Sequence, residues 1–228
     1  MGELLDTPYL LTEYDTVDST QNVARSHSDQ LPVLVVAARQ TEGRGRMGRE
    51  WVTAPAAAAI TFGFRPAWPA EALGLVPLCA AVAARRVLGG RVSLKWPNDL
   101  LLGGRKVGGI LSEAIGDAVY VGMGLNLHWP NPPPSTGALF EKAPLPEVRV
   151  EIAKGWADET SKIIAGDSGS WPHREYTDAC STIGSEITWE PDGRGIAVQV
   201  DDEGALVVET AEGLVALRSG EIHHVRHH

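Results

Sequence analysis

The sequence predicts an α/β (α+β) fold: a mixed or antiparallel sheet flanked by helices, followed by a small C-terminal β-barrel-like unit. Three observations predict it. Strand-length apolar runs alternate with helix-period segments between residues 9 and 164. The pair Gly103-Gly104 joins two such runs as a tight hairpin. From Glu186 onward only short strands remain, separated by turn residues. The chain of 228 residues is 43% apolar and 21% charged, which is enough to bury a sizeable core.

Taken in order, residues 9–14 read as a strand, and Ser19 or Thr20 caps a short helix reaching about residue 28. Residues 33–38 and 58–64 are apolar strands, and the glycine- and arginine-rich segment between them is a loop. Residues 71–88 have helical length, strong helix formers and an apolar face, with Pro77 at a bend or an early turn. A strand over 92–96 is ended by Pro97; residues 100–102 and 106–113 form the hairpin, and 119–128 another strand. The proline-rich stretch 129–146 reads as a surface loop, where chemistry is not expected, and 148–164 returns to helical period. Asp201, Asp202, Glu203 and Gly204 turn between strands 196–200 and 205–209, with further strands over 214–217 and 222–225. The expected division is 1–179 for an α/β domain and 180–228 for the small β domain.

Lys and Arg total 20 against 29 for Asp and Glu, a formal net charge of -9 that argues against tracking long nucleic acid. No apolar run approaches the roughly 20 residues needed to cross a bilayer, and the opening MGELLDTPYL has no basic start before an apolar stretch. A cytoplasmic protein with neither membrane nor DNA partner is expected. Cys79 and Cys180 lack companions at metal-ligand spacing and read as reduced core thiols.

Four segments carry polar residues where backbone must approach something. In Gln40-Thr41-Glu42-Gly43-Arg44-Gly45-Arg46-Met47-Gly48-Arg49-Glu50-Trp51, glycines permit close approach and three arginines repel one another until an anion arrives. A solvated basic loop or an RNA-binding Arg-Gly patch fits this segment equally well. Lys95-Trp96-Pro97-Asn98-Asp99 places polar groups where a strand ends, although an Asn-Asp turn is ordinary there. Lys106 follows a tight turn and precedes Gly108-Gly109, and Gly122-Met123-Gly124-Leu125-Asn126 puts small residues and one asparagine on an apolar strand. Each of these is compatible with a solvated charge or close strand packing.

Their succession is more specific. Asp18-Ser19-Thr20-Gln21-Asn22, GRGRMGREW, KWPNDL, GRKVGGIL and GMGLNL, in this order and with a small terminal domain, resemble the biotin–protein ligases over nearly the whole chain. The resemblance implies a catalytic fold of the class II synthetase and biotin synthetase type with a small SH3-like C-terminal barrel. It implies that ATP and Mg²⁺ activate biotin as biotinyl-5'-AMP, and that biotin then passes to a lysine of the biotin carboxyl carrier domain of acetyl-CoA carboxylase or a related carboxylase.

By the same resemblance Ser19, Thr20 and Gln40 meet the ureido head, and Gly43 and Arg44 lie along the tail. Arg46 and Lys106 meet the biotin carboxylate and the α-phosphate. Trp51 packs on the adenine side, Arg49, Asn98, Asp99 and Asn126 support the nucleotide, and Asp99 also supports Mg²⁺. Gly109, Gly122 and Leu125 line the rest, and Lys106, Arg46 and Asp99 form the implied catalytic set. Only 17 residues precede Asp18, too few for the repressor module that some members carry, so no DNA partner is expected; the expected state is a monomer or weak homodimer. The rival readings are a lipoate or octanoate ligase or transferase, a non-catalytic biotin-binding module, and a nucleic-acid-binding regulator.

Overall fold

Strand-length runs with apolar residues at alternate positions give a sheet two unlike faces, and here each face receives a different helix layer. The computed structural model describes residues 8–218 and 222–224. β1 (Leu10–Val17), β2 (Val33–Gln40), β3 (Ala56–Phe64), β4 (Ser93–Lys95), β5 (Asp99–Leu102), β6 (Arg105–Ile115) and β7 (Ala118–His128) form one sheet in the order β1-β2-β3-β7-β6-β5-β4. β1 and β2 pair in parallel and the other neighbours antiparallel, so the sheet is mixed as expected.

On one face, Ile60, Phe62 and Phe64 of β3 and Met123 and Leu125 of β7 join the main apolar core. α2 (Val76–Val87) and α3 (Glu147–Ile164) pack against that face. α2 buries eight residues, four of them alanines, because it lies between the sheet and α3, and small side chains let the helices approach. Trp156 of α3 is fully buried and its indole N–H donates to the Ala80 carbonyl at 2.8 Å. The same packing buries Cys79, whose thiol is pushed up to about 12 by desolvation, in keeping with a reduced core thiol.

On the opposite face α1 (Thr20–Ser26) covers only one end, where Ala24 packs with Val33, Val35, Ala118 and Tyr120. The rest of that face is open and holds the site described below.

A second, five-stranded antiparallel sheet follows α4 (His173–Ala179). It contains β8 (Glu186–Trp189), β9 (Gly193–Val200), β10 (Leu206–Thr210), β11 (Gly213–Leu217) and β12 (Ile222–His224), in the order β11-β10-β9-β8-β12. The expected turn at 201–204 is present, with Gly204 at φ +82°. The indole N–H groups of Trp96 and Trp171 donate to the carbonyls of Gly204 and Asp202 at 3.0 and 2.9 Å, tying this turn to the larger unit. Val225, expected in the last strand, lies outside the described residues.

Three expectations change. Residues 71–88 are not one helix: Ala70–Leu75 is 3-10, and α2 begins at Val76 because Pro77 has no N–H to donate and fits only a first turn. α4 was not expected, since seven residues are too few to show a helical period. The stretch 129–146 has no regular element, but it is more than a surface loop. Lys106 N–H donates to the Ser135 carbonyl at 2.9 Å, Gly137 N–H to Lys106 at 2.8 Å and Leu139 N–H to Asn126 at 2.9 Å.

Replacing Trp156 with Ala is expected to lower the unfolding free energy by about 3–5 kcal/mol, through lost burial and the cavity left between α2 and α3. Urea denaturation should show a lower midpoint with an unchanged m-value; a loss below about 1 kcal/mol would mean the helix layer is not part of the cooperative core.

Candidate active site

The open face of the larger sheet carries a cavity of about 330 Å³ bounded by α1, the segment 44–51 and the β4–β5 turn. Register explains its floor. Ala37, Ala59, Gly124, Gly109, Asp99 and Lys95 pair in sequence across β2, β3, β7, β6, β5 and β4, so they share one face. Small residues in the middle of this row leave the space, and charged residues stand at its end. The neighbouring row is Val35, Thr61, Gly122 and Leu111.

Lys106 reaches the cavity through an irregularity. Strict alternation from Gly109 would turn Lys106 toward the core. The β5–β6 register instead shifts between Leu100 and Leu101, with Gly108 opposite Leu100 and Lys106 opposite Leu101. Val107 is the extra residue; it is fully buried in the core, and Lys106 lines the cavity. Its ammonium lies 2.6 Å from Asp99 Oδ1 and 5.6 Å from the centre of the Trp51 ring.

Trp51 roofs the glycine floor. A Cβ at Gly124 would lie 2.6 Å from Trp51 Cε2 and one at Gly109 3.3 Å from its Cζ3, so glycine is required for this ring to lie on β7. The segment before Trp51 folds back on itself: Trp51 N–H donates to the Gly43 carbonyl at 2.9 Å, Gly45 N–H to the Arg49 carbonyl at 2.7 Å, and the backbones of Arg44 and Glu50 pair as an isolated antiparallel bridge. Met47, at φ 56°, and Gly48, at φ 72°, form the tip of this strap. Arg44 Nη2 donates to Asn22 Oδ1 at 2.8 Å, and Asn22 Nδ2 donates to Asp18 at 2.7 Å. The Asn22 amide and the Ser19 backbone N–H hold the Asp18 carboxyl below its usual range.

The end of the cavity at α1 is polar and uncharged. Ser19 and Thr20 are buried at the helix start, and Gln40 Oε1 accepts from Thr20 N–H at 2.8 Å and from Thr20 Oγ1 at 3.0 Å. Away from α1 the lining is cationic. Arg46, Arg49, Lys95 and Lys106, with Arg44 drawn back to Asn22, line the cavity against only two carboxylates, Glu50 and Asp99, in a chain of net charge -9. Such a local excess attracts anionic groups.

Of the residues expected in the site, Ser19, Thr20, Gln40, Arg44, Arg46, Arg49, Trp51, Asn98, Asp99, Lys106, Gly109 and Gly122 all line this one cavity. Three are placed otherwise. Leu125 points to the core side of β7 and is fully buried there, because it alternates with Gly124. Gly43 stands behind the wall: a Cβ there would lie 2.8 Å from the Trp51 carbonyl. Asn126 is covered by the 135–139 loop, where its amide donates to the Gly137 carbonyl at 3.0 Å while its Oδ1 is buried without a hydrogen-bond partner among the described residues. The Asn98 amide donates to the Ile110 carbonyl at 3.0 Å, which fastens the β4–β5 turn to β6.

Sequence reasoning assigned no role to Gln21 and missed Thr61, both buried in the cavity wall. Thr61 had one available signal, as the single hydroxyl in the apolar run of β3.

An uncharged polar pocket and a cation cluster, joined by a glycine floor on a mixed sheet, define a site for a ligand with a neutral polar head and an anionic end. Comparison with known proteins gives the family. Residues 14–127 match the biotin/lipoate A/B protein ligase family and residues 182–225 the biotin protein ligase C-terminal domain. The chain is similar to the biotin–[acetyl-CoA-carboxylase] ligases of Mycobacterium tuberculosis and Paracoccus denitrificans. It is 32% identical to the first over 220 residues (89% of this chain, 83% of that protein). It is 33% identical to the second over 216 residues (82% and 88%). A biotin protein ligase from Aquifex aeolicus, solved with biotin and ATP, superposes with a TM-score of 0.77 at 26% identity, covering 96% of this chain and 99% of that one. The chain belongs to the biotin/lipoate A/B protein ligase family.

A Gly124→Ala substitution is expected to push Trp51 off the floor and loosen the strap, raising the rate of tryptic cleavage after Arg44, Arg46 and Arg49 by about tenfold without unfolding the domain. Unchanged cleavage rates would show that the strap is held independently of the Trp51 ring.

Proposed function

We propose that the chain is an ATP-dependent biotin–protein ligase. The carboxylate of biotin attacks the α-phosphate of ATP, giving biotinyl-5'-AMP and pyrophosphate. The neutral amine of a carrier lysine then attacks the mixed anhydride, giving the amide and AMP. The observation that carries this reading is the polarity of the one cavity: an uncharged hydrogen-bonding end at Thr20 and Gln40, and a cationic end at Arg46 and Lys106. A cyclic urea on an apolar chain ending in a carboxylate has the same sequence of polarities.

Bringing a carboxylate to a phosphate means placing two anions side by side, so charge neutralisation and positioning are the main demands. Arg46 and Lys106 supply the cations, and Asp99, 2.6 Å from Lys106, orients its ammonium until the substrates arrive. Arg49, Asn98 and Trp51 stand where the nucleotide would lie. The unpartnered Asn126 Oδ1 is an acceptor suited to the exocyclic amine of adenine once the 135–139 loop gives way. Ser19 and Gly122 flank the urea end, and Gly43 and Arg44 hold the wall along the tail. The Trp51 roof would shield the anhydride from water.

Among the described residues no three metal-ligating side chains of His, Cys, Asp or Glu stand together. Mg²⁺ carried on the ATP phosphates needs at most one carboxylate from the protein; Asp99 would be that carboxylate, and the ion would neutralise phosphate charge. The carrier domain of a carboxylase is the proposed protein partner, with the chain a monomer or weak homodimer dividing at about residue 180. No helix among the described residues is long and apolar enough to cross a membrane.

A lipoate or octanoate ligase is the runner-up within the family, but a disulfide ring or alkyl end would leave the groups around Thr20 and Gln40 unpaired. The test is biotin-dependent ATP–pyrophosphate exchange with Mg²⁺, run beside lipoate and octanoate. Exchange with biotin alone is expected, falling at least about a hundredfold in Lys106→Ala. Exchange with lipoate or octanoate instead would establish the runner-up; none with any acid would leave a binding module.

A further inference from the structure

One backbone N–H dictates the direction of every hydrogen bond at the uncharged end of the cavity. Thr20 N–H can only donate, so the Gln40 atom 2.8 Å away must be its carbonyl oxygen, and the amide orientation follows. Thr20 Oγ1, 3.0 Å from that same oxygen, must then spend its single proton on it. Thr61 Oγ1 lies 2.8 Å from Thr20 Oγ1, which has no proton left to give, so Thr61 is the donor. The chain runs Thr61 to Thr20 to Gln40 in one sense only.

Its consequence is a defined pattern facing the cavity. Gln40 presents its amide N–H₂ as a donor, and the remaining lone pairs of Thr20 Oγ1 and Thr61 Oγ1 are acceptors. Thr61 is fully buried on β3, directly opposite Gly122 in the register, and lines the same cavity. Burial of Thr20 and Thr61 limits competition by water at their hydroxyls.

We propose that Thr61 is a positioning residue: as terminal donor of this chain it holds the Thr20 hydroxyl oxygen in place, and so the donor–acceptor pattern that selects a cyclic urea, in which one carbonyl acceptor is flanked by two N–H donors. This rests on the proposed biotin chemistry and deepens it. Without the Thr61 donor, the Thr20 hydroxyl keeps its proton on Gln40 but loses the contact that fixes its oxygen, so the acceptor it presents to the cavity is less well placed. Ligands with urea N–H groups then lose affinity, whereas acids without them do not.

The test compares wild type with Thr61→Val, Thr61→Ala and Thr61→Ser by calorimetric binding of biotin and desthiobiotin, and by steady-state kinetics. Desthiobiotin keeps the cyclic urea but lacks the sulfur ring. For Thr61→Val, Kd for both ligands and KM for biotin are expected to rise about tenfold or more, with kcat and KM for ATP within about twofold. Thr61→Ser, which restores the hydroxyl, should return KM to within about threefold of wild type. Thr61→Ala serves if the valine variant does not fold, and melting temperature is recorded for all three. Unchanged biotin affinity in a folded variant lacking the hydroxyl overturns the inference. So does an equal loss for biotin and ATP that serine fails to rescue. Failure of the wild-type chain to bind biotin at all would instead overturn the proposed function, and this inference with it.

Discussion

The sheet face bearing Gly109, Gly122 and Gly124 has to be empty and charged at once, and the single extra residue Val107 in β6 is what reconciles these demands. A regular strand with glycine at 109 would send Lys106 into the core beside Leu100 and Leu125, where an unpaired ammonium costs several kcal/mol. With Val107 bulged, the apolar side chain fills the core and the ammonium comes up beside Asp99 at the edge of the glycine floor. The 135–139 loop consolidates the arrangement, because its hydrogen bonds to both the N–H and the carbonyl of Lys106 take up the groups that a disturbed ladder leaves unpaired. Cavity, cation position and core packing thus share one cause.

Charge is handled in the same economical way. An acidic chain can afford a cluster of five cationic side chains only where acceptors hold them until a ligand arrives. Asp99 holds Lys106, and Asn22, itself fixed by Asp18, holds Arg44. These partners keep the cluster ready without neutralising it, since two carboxylates face five cations in the cavity wall. The Trp51 roof matters for the same reason: excluding water lowers the local dielectric and strengthens each of these interactions.

The mixed sheet, the hairpins and the arginine-rich strap were legible in the sequence because their signals are local, whereas the expected site residues came from the ordered succession of motifs. Short apolar runs marked β2, β3 and β7, paired glycines marked the β5–β6 turn, and clustered arginines in an acidic chain marked the strap. What was illegible depends on register between distant strands. Leu125 looked like a wall residue because Gly122 and Gly124 surround it in sequence, yet alternation turns it to the core. Thr61 gains meaning only when β3 is set beside α1, across 41 residues of chain. The 135–139 loop lacks any periodic signal, since its ties run through backbone groups that every residue carries. Pro77 was read at a bend or an early turn within one helical segment, and it lies in the first turn of α2; sequence alone does not say whether an early proline bends a helix or begins one.

The small C-terminal sheet supports the site through Trp96. The backbone N–H of this residue donates to Thr182 Oγ1 at 3.0 Å and its indole N–H to the Gly204 carbonyl at 3.0 Å, so both ends of the residue are anchored in the segment after α4. Pro97, Asn98 and Asp99 follow directly and line the cavity, with Asn98 fastened to Ile110. The β4–β5 turn is therefore clamped between β6 on one side and the small sheet on the other. A cavity proposed to hold two anions in reacting geometry needs its cationic end closely fixed, and the three-residue edge strand β4 gains that support from its neighbours. On this account the C-terminal sheet shapes the proposed site by fixing the position of Asp99, and through Asp99 that of Lys106.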